Sequence, residues 1–430
     1  MPKKKKGYDW SNLQTAPQIE EHSRAKHRVL QDYLKKYISV LTANPRKTNL
    51  KLFVIDGFSG GGVYTDEITQ EVVDGSPLVL IKTIKDEEAR INSERIKFFT
   101  IDANYYFVEK DKHAARRLKL TLDPWLDKFK LKKKVEIIKG TYIDALPGII
   151  KSIKSTGRIR KHRCIFLLDQ YGYSDVSFES LRFIFQIFPD GAEVILTYAT
   201  DALISYLSHA EGFKKAIKTA GLEDIITDSV IDNFRERKPI ETKQARLAIE
   251  QLLATNILQK SGAKYFTPFF ITSDKSRRSY LLVHLSNHVK ARDEMNKVHW
   301  GLQNHFKHYG TAGFDNFKSI LGFDPKYENL DQLLMDFSFD DDAESRTYEA
   351  LREDVPGILS FRDGVTFGEI LSQTCNHTPA NSDHYKKILY ELVLEKYITI
   401  TSPDGKVRRS VNAIELTDRI IKNSQLIFSF

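Results

Sequence analysis

The sequence predicts an α/β fold, Rossmann-like, followed by a smaller helical domain that ends in a hairpin. Three observations carry this reading. Short runs of β-branched and aromatic residues lie at 50–56, 105–108, 135–138, 164–168 and 193–198, with helical stretches between them. Continuous apolar runs of this length mark strands buried on both faces of a parallel sheet. Two further runs, 265–271 and 280–285, are joined by a polar connection of hairpin type. Beyond residue 358 a helix, a turn, a helix and a hairpin follow in that order, the sequence of a winged helix.

A chain of 430 residues buries a large core and has room for two or three domains. Its net charge of +8 and pI near 9.0 lean toward an anionic partner, nucleic acid first, although a solvated basic face explains them almost as well. Cys164 and Cys375 are too few for a disulfide framework and too far apart for a metal-ligand pair, so a reducing, cytoplasmic setting is expected. The histidines are scattered, and no metal site is expected. No apolar stretch reaches membrane-spanning length and no apolar signal-peptide core follows the N-terminus, so no membrane partner is expected. Lys3–Lys6 reads as a solubilising tail.

The glycine-rich stretch Leu50–Tyr64 organises the first domain. A strand ends in Asp56 and opens into a loop holding Gly57, Gly60, Gly61 and Gly62. Ligands of open α/β sheets sit at the carboxyl ends of the strands, and glycines there allow close backbone approach. Before it, residues 1–49 read as a basic tail and an amphipathic helix, Ile19–Val40. Its apolar positions are Val29, Leu30, Tyr33, Leu34, Tyr37 and Ile38. His22, Lys26, His27 and Arg28 read as its wet side unless a ligand sits against them. After the loop, 65–73 reads as a polar interval, and Ser76 as N-cap with Pro77 starts a helix at 78–84. The loop therefore does not run straight into its helix, which counts against the simple dinucleotide fingerprint.

Glu109 ends the second strand, placed to accept hydrogen bonds from ribose hydroxyls, and a helix at 113–120 follows. The third strand leads to a polar turn, 140–144, holding Tyr142 and Asp144, and then to a helix near 146–153. The basic segment 154–163 faces either substrate or water. Asp169, Gln170 and Tyr171 end the fourth strand, and a helix follows at 178–188. Residues 201–260 read as a helical insertion over the ligand edge. A parallel five-stranded sheet closed by a hairpin fits the class I methyltransferase sheet better than a dehydrogenase sheet, and the domain is expected to span 50–300.

Residues 301–357 read as a helical and acidic linker, with the tract Asp336–Glu344 at its centre. The winged helix is expected over 358–430, with helices at 367–374 and 382–395, a strand at 397–401, a turn at 402–405 and a basic strand from Lys406. Its second helix suits a major groove and Lys406, Arg408 and Arg409 suit phosphates. That helix also carries Asp383, Glu391 and Glu395, so docking a protein is an equal reading.

The string Asp56-x-Phe58-x-Gly60-x-Gly62 resembles the first motif of nucleic-acid methyltransferases. DGFSGGGVY with DGSPLVLI, FVEKD, LLDQYGY and SYLLVHLSNH resembles the three-Cys-motif partner protein family, TcmP, over about residues 27–300, and the C-terminal part is similar to that family's winged-helix domain. The resemblance implies an S-adenosylmethionine (SAM) site. Asp56, Phe58, Gly60 and Gly62 would lie under its methionine part, Glu109 at its ribose, and Tyr142 and Asp144 near its adenine. Asp169, Gln170 and Tyr171 would take the acceptor position, and a separate protein with the three-cysteine motif would be the partner. Amino-methyltransferases carry proline after the acid, where this chain has Gln170. Two functions thus stand together: SAM-dependent methyl transfer to nucleic acid, and a non-catalytic partner that docks protein or nucleic acid. A nucleotide- or NAD-dependent enzyme is a weaker third, since no GK[ST] ending marks a P-loop.

Overall fold

The structure is a computed structural model that describes residues 8–157, 162–171, 174–199, 253, 256–272, 279–302, 307–309, 336–338, 341–361 and 364–423. The chain divides into two compact units, 1–288 and 289–430. Most of the expected insertion at 201–260 lies outside the described residues, as does the connection 273–278.

Among the described residues the first unit has nine strands: β1 (Asn49–Asp56), β2 (Val63–Thr65), β3 (Val72–Asp74), β4 (Thr100–Glu109), β5 (Val135–Lys139), β6 (Arg163–Leu168), β7 (Ala192–Ala199), β8 (Tyr265–Thr272) and β9 (Ser279–Ser286). Seven of them lie side by side in the order β8-β9-β7-β6-β1-β4-β5. β1, β4, β5, β6 and β7 pair in parallel, whereas β9 runs antiparallel to both β7 and β8. With these seven counted along the chain, the order is 3-2-1-4-5-7-6 with the seventh reversed. This is the class I methyltransferase sheet.

Helices α1 (Glu21–Thr42), α2 (Ser76–Glu94), α3 (Lys112–Lys128), α4 (Tyr142–Ser155) and α5 (Phe178–Ile187) accompany the sheet. Phe53, Val54, Ile55, Phe107, Phe166 and Leu168 are buried in its central strands, as two-sided covering requires. α1 is fastened by polar groups as well as by Leu30 and Leu34. The Tyr33 hydroxyl donates to the buried Glu193 of β7, and His284 Nε2 of β9 lies 3.2 Å from the same carboxylate.

Several elements differ from the sequence reading. Residues 65–73 are not simply polar loop, because β2 and β3 pair there as a small hairpin. α2 is capped by the backbone of Gly75, since the Ser76 hydroxyl bonds Asp56 instead. α3 runs on through Pro124 to Lys128; Leu118, Leu122 and Leu126 keep a buried face at four-residue spacing. The turn expected at 140–144 is already helix from Tyr142, because Thr141 caps α4 by accepting from the Asp144 N–H.

The second unit contains α6 (Val289–Gly301), a short antiparallel pair of β10 (Lys307–Tyr309) and β11 (Asp336–Ser338), and α7 (Asp341–Phe361). The acidic tract 336–344 is therefore not a structureless linker: it supplies β11 and the first turn of α7. Asp341, Asp342 and Glu344 sit in that turn, where a helix N-terminus favours negative charge. Next come β12 (Val365–Thr366), α8 (Phe367–Thr374), α9 (Ser382–Leu394), β13 (Ile398–Thr401) and β14 (Arg419–Lys422). The three strands form one sheet, β12-β14-β13. The basic strand expected from Lys406 is only a single bridge, Val407 to Thr401; β14 makes the ladder with β13. Helix, turn, helix and wing are present.

α6 grips the turn between α8 and α9. Arg292 donates to the carbonyls of Thr378 and Ala380 at 2.6 Å each, and Trp300 Nε1 to that of Pro379 at 2.8 Å. The buried Asp293 accepts from the Ser382 N–H and hydroxyl at 2.6 and 2.7 Å. Burial alone would raise its pKa, but Lys297 and these bonds hold it below the usual carboxylate value.

Glu193→Ala removes an acceptor shared by Tyr33 and His284, and should cost about 3 kcal/mol. Urea unfolding of the two proteins measures this, and a difference below about 0.5 kcal/mol would contradict the role given to this carboxylate.

Candidate cofactor and acceptor site

A cavity of about 560 Å³ opens at the carboxyl ends of β1, β4, β5 and β6. Its walls come from the glycine loop (Gly57, Phe58, Gly60), Glu109, Tyr142 with Ile143, Asp169 with Tyr171, and the first turns of α1. Pockets for small molecules commonly fall in this size range, and this one lies where open α/β sheets take their ligands.

Asp56 lies below the cavity rather than in its wall. Fully buried, it accepts from the Phe58 N–H at 3.1 Å and from the Ser76 hydroxyl at 2.7 Å. Burial pushes its pKa up to about 7 against the pull of these two bonds. The loop is also tied to its neighbours by main-chain bonds, Gly57 N–H to Leu167 and Ser59 N–H to Val108. Gly60 and Gly62 have φ of +58° and +83°, where a side chain would be strained. Gly75 donates to the Gly62 carbonyl at 2.8 Å, and a Cβ on Gly75 would stand 2.9 Å from that backbone. The two glycine strings of the sequence are therefore two halves of one junction.

Glu109 faces the cavity from the tip of β4. One oxygen accepts from the Gly60 N–H and the other from the Asp111 N–H, both at 2.8 Å. A carboxylate offers about four acceptor positions, so roughly two are left for a ligand's hydroxyl pair. Burial raises its pKa. Tyr142 is buried against Gly57. Asp144 is exposed in the first turn of α4, its carboxylate accepting from the Thr141 hydroxyl, and it does not line the cavity. Ile143, 42% exposed, offers the apolar surface there. A carboxylate with spare acceptors beside an apolar ledge fits a nucleoside-bearing cofactor.

At the tip of β6, Asp169 is held by Lys26 of α1, whose Nζ lies 2.6 and 2.7 Å from its two oxygens. Burial would raise the Asp169 pKa, but Lys26, with smaller help from Thr197 and His27, leaves it below the ordinary value. Gln170 is buried, and its side-chain oxygen accepts from the N–H groups of Asp175 and Val176, shaping its own loop. Tyr171 is half exposed on the rim.

Sequence reasoning missed the N-terminal side of the cavity. Residues 8–20 are no tail. Arg117 donates to the carbonyls of Asn12, Leu13 and Thr15, and Thr65 exchanges bonds with Pro17 and Ile19. Trp10 packs against Gly61, where a Cβ would approach its ring to 2.4 Å. Tyr8 and Trp10 both pack on Tyr64, at 4.8 and 5.3 Å between ring centres. His22 stacks on Tyr280 at 4.1 Å, with Lys26 Nζ 5.3 Å from the same ring. His27, also in the wall, is pushed down to about 4 by burial and is neutral at physiological pH.

The wing residues are placed differently from the expectation of three phosphate contacts. Arg408 makes a two-pronged pair with the buried Asp418 at 2.8 Å, and Lys406 pairs with Asp404 at 2.8 Å. Arg409 is exposed.

A family model described as a GMT-like wHTH domain matches residues 322–405. No curated protein matches the chain. Among solved structures, the chain is similar to the DszA carbon methyltransferase at 10% identity and a TM-score of 0.31, covering 63% of this chain and 55% of DszA. The methyltransferase domain of bacterial CtHen1-C is similar at 14% identity and 0.27, covering 60% of this chain and 100% of that one. Fibrillarin from Aeropyrum pernix with natively bound S-adenosyl-L-methionine is similar at 10% and 0.26, covering 59% and 76%. Likenesses this slight carry no argument; the strand order carries the fold. Among the described residues no helix is long and apolar enough to cross a membrane.

Two outcomes follow from this geometry. Because the folded Asp56 pKa lies near 7 and its ordinary value is 3.8, the native state keeps a proton that the unfolded chain has lost. Its contribution to stability therefore falls as pH rises from about 4 to 7 and levels above. Asp56→Asn should remove this slope and stabilise the protein at pH 8 by on the order of 3 kcal/mol, with no gain below pH 4. Paired melts across that range check it. Gly75→Ala, pressed on the Gly62 backbone, should destabilise by about 1–3 kcal/mol; an unchanged urea midpoint would contradict the contact.

Proposed function

We propose that the first unit is a SAM-dependent methyltransferase and that its substrate is nucleic acid. The observation that carries the first part is the placing of Glu109 and the glycine loop at the carboxyl ends of adjacent strands in a class I methyltransferase sheet. Glu109 would take the ribose hydroxyls, Ile143 and Tyr142 would flank the adenine, and Phe58 and Gly60 would pass beneath the methionine part. Asp56 acts from below by holding the loop. When bound, the cofactor supplies an electrophilic methyl on a sulfonium centre. The protein supplies position, a wall of side chains against water, and the Lys26–Asp169 pair at the acceptor end.

Nucleic acid is supported by a surface that sequence reasoning passed over. Lys112, Arg116 and Lys119 are all exposed and share one face of α3 at helical spacing, a stripe about 10 Å long. It starts beside Lys110, Asp111 and His113, which line the cavity mouth. Lys128, Lys130 and Lys133 extend the exposed basic surface past the helix end, while Lys132 is paired with Asp127 at 2.6 Å. Phosphate binding needs positive charge leading to the reactive centre, and this stripe provides it.

A second reading keeps the fold and drops the chemistry: a docking partner, of which a three-Cys-motif protein is one candidate by resemblance. It is favoured by the wing, whose Lys406 and Arg408 are paired internally, and by the mixed charges Asp383, Lys387 and Glu391 on the exposed face of α9. Under it, Asp169→Ala leaves biological activity intact and removal of 358–430 abolishes it.

Calorimetry should detect SAM binding, and Glu109→Ala should weaken it by about tenfold, or roughly 1.4 kcal/mol; no binding at millimolar cofactor sinks the enzyme reading. Changing Lys112, Arg116 and Lys119 together to Glu should weaken RNA or DNA binding and lower the salt slope by about 2 to 3. Changing Lys406 and Arg409 to Glu should do less. The reverse ranking would return the nucleic-acid surface to the wing.

A further inference from the structure

We infer that Lys26 and Asp169 select a hydroxyl oxygen, rather than an exocyclic amino nitrogen, as the methyl acceptor. The inference rests on the methyltransferase reading above and concerns what the acceptor end of that cavity recognises. The ammonium of Lys26 and the carboxylate of Asp169 stand side by side in the cavity wall, 2.6 and 2.7 Å apart. An ammonium offers donors only, and an ionised carboxylate acceptors only. The pair therefore presents a donor and an acceptor side by side to whatever approaches it.

An exocyclic amino group on a base has two N–H donors and a lone pair drawn into the ring. It meets Asp169 well and Lys26 badly, donor against donor. Nor does Gln170 help it, since the side-chain oxygen there is already spent on the N–H groups of Asp175 and Val176. A hydroxyl has one O–H and two lone pairs. Its O–H points to Asp169, one lone pair takes a Lys26 N–H, and the second lone pair is left to aim at the sulfonium methyl. All three directions of the oxygen are then fixed, which is what orientation requires. Lys26 is held in turn by its surroundings: its side chain is 11% exposed, and the ring of Tyr280, backed by His22, lies beneath its ammonium.

The step balances without a further reactant. The oxygen–methyl bond forms as the sulfur–methyl bond breaks, and the electron pair of that bond stays on sulfur, giving a neutral thioether. The hydroxyl proton passes to an Asp169 oxygen and from there to water. A carboxylate with a depressed pKa is a weak base, but an oxygen being alkylated becomes strongly acidic, so late transfer to Asp169 suffices. Lys26 is a positioning residue and Asp169 the proton acceptor.

The full chain would be incubated with SAM labelled in its methyl group and with mixed cellular RNA and DNA. The nucleic acid is then digested to nucleosides and the methylated atom identified by mass spectrometry. Label in an O-methylated nucleoside is expected. Lys26→Met and Asp169→Asn should reduce it at least a hundredfold while SAM affinity, read by calorimetry, falls less than tenfold. Lys26→Arg, which keeps a donor beside Asp169, should retain measurable O-methylation and guards against loss through misfolding. Label on nitrogen or carbon, no label from protein that binds SAM, or undiminished O-methylation by Lys26→Met overturns the inference. Failure to bind SAM removes the underlying reading as well, and the calorimetry tells the two failures apart.

Discussion

The first unit depends on a carboxyl group that never meets water. Asp56 ends the central strand β1 and takes its donors from two directions, the Phe58 N–H of the loop it begins and the Ser76 hydroxyl of the helix that follows. Buried polar groups are tolerated only when their partners are in place, so the loop and the start of α2 are fixed together. Gly75 closes the same junction by pressing on Gly62. With its underside held, the loop turns Gly60 toward Glu109, and one cavity wall is set before any ligand arrives. The two donors to Asp56 favour the ionised carboxylate and burial favours the neutral acid, and burial prevails.

Much of this was legible in the sequence, because strands and acids at their tips leave local marks. The apolar runs, the polar breaks and the closing hairpin yield the sheet, and Asp56, Glu109 and Asp169 fall at strand ends as read. Contacts without a local mark were not legible. Nothing near Trp10 announces that it lies on Gly61, some fifty residues on, and nothing near Arg408 announces Asp418. Other misses had a signal that another outweighed. Thr141-x-x-Asp144 has the form of a helix cap, and Leu118, Leu122 and Leu126 continue the stripe of α3 across a proline. Three acids at 341–344 suit a helix start as well as a linker.

The wing shows why counting basic residues misleads. Lys406 and Arg408 are basic in sequence, but each has an acid within ten residues, and Arg408 is bound to one that is buried. A guanidinium with both prongs on a buried carboxylate is part of the wing's framework; drawing it toward a phosphate would leave Asp418 buried and unpaired. The stripe on α3 is different in kind. Its residues face outward at helical spacing from the cavity rim, so its field is directed toward the site rather than cancelled at its source.

Lys26 links the packing of α1 to the cavity at the tip of β6. On α1, positions 22, 26, 30, 33 and 37 lie along one face, and the last three, Leu30, Tyr33 and Tyr37, are large and buried. The face turns polar at Lys26 and His22, where the helix passes the edge of the sheet and reaches the cavity. A lysine so enclosed is tolerable only while paired, and its partner Asp169 is itself largely out of water. A group that merely pushed the two apart would leave two poorly solvated charges. A group that both accepts and donates can enter between them with every bond replaced. The ion pair that fastens α1 to the tip of β6 would thus also filter what enters this end of the cavity, by the hydrogen bonds it requires in exchange.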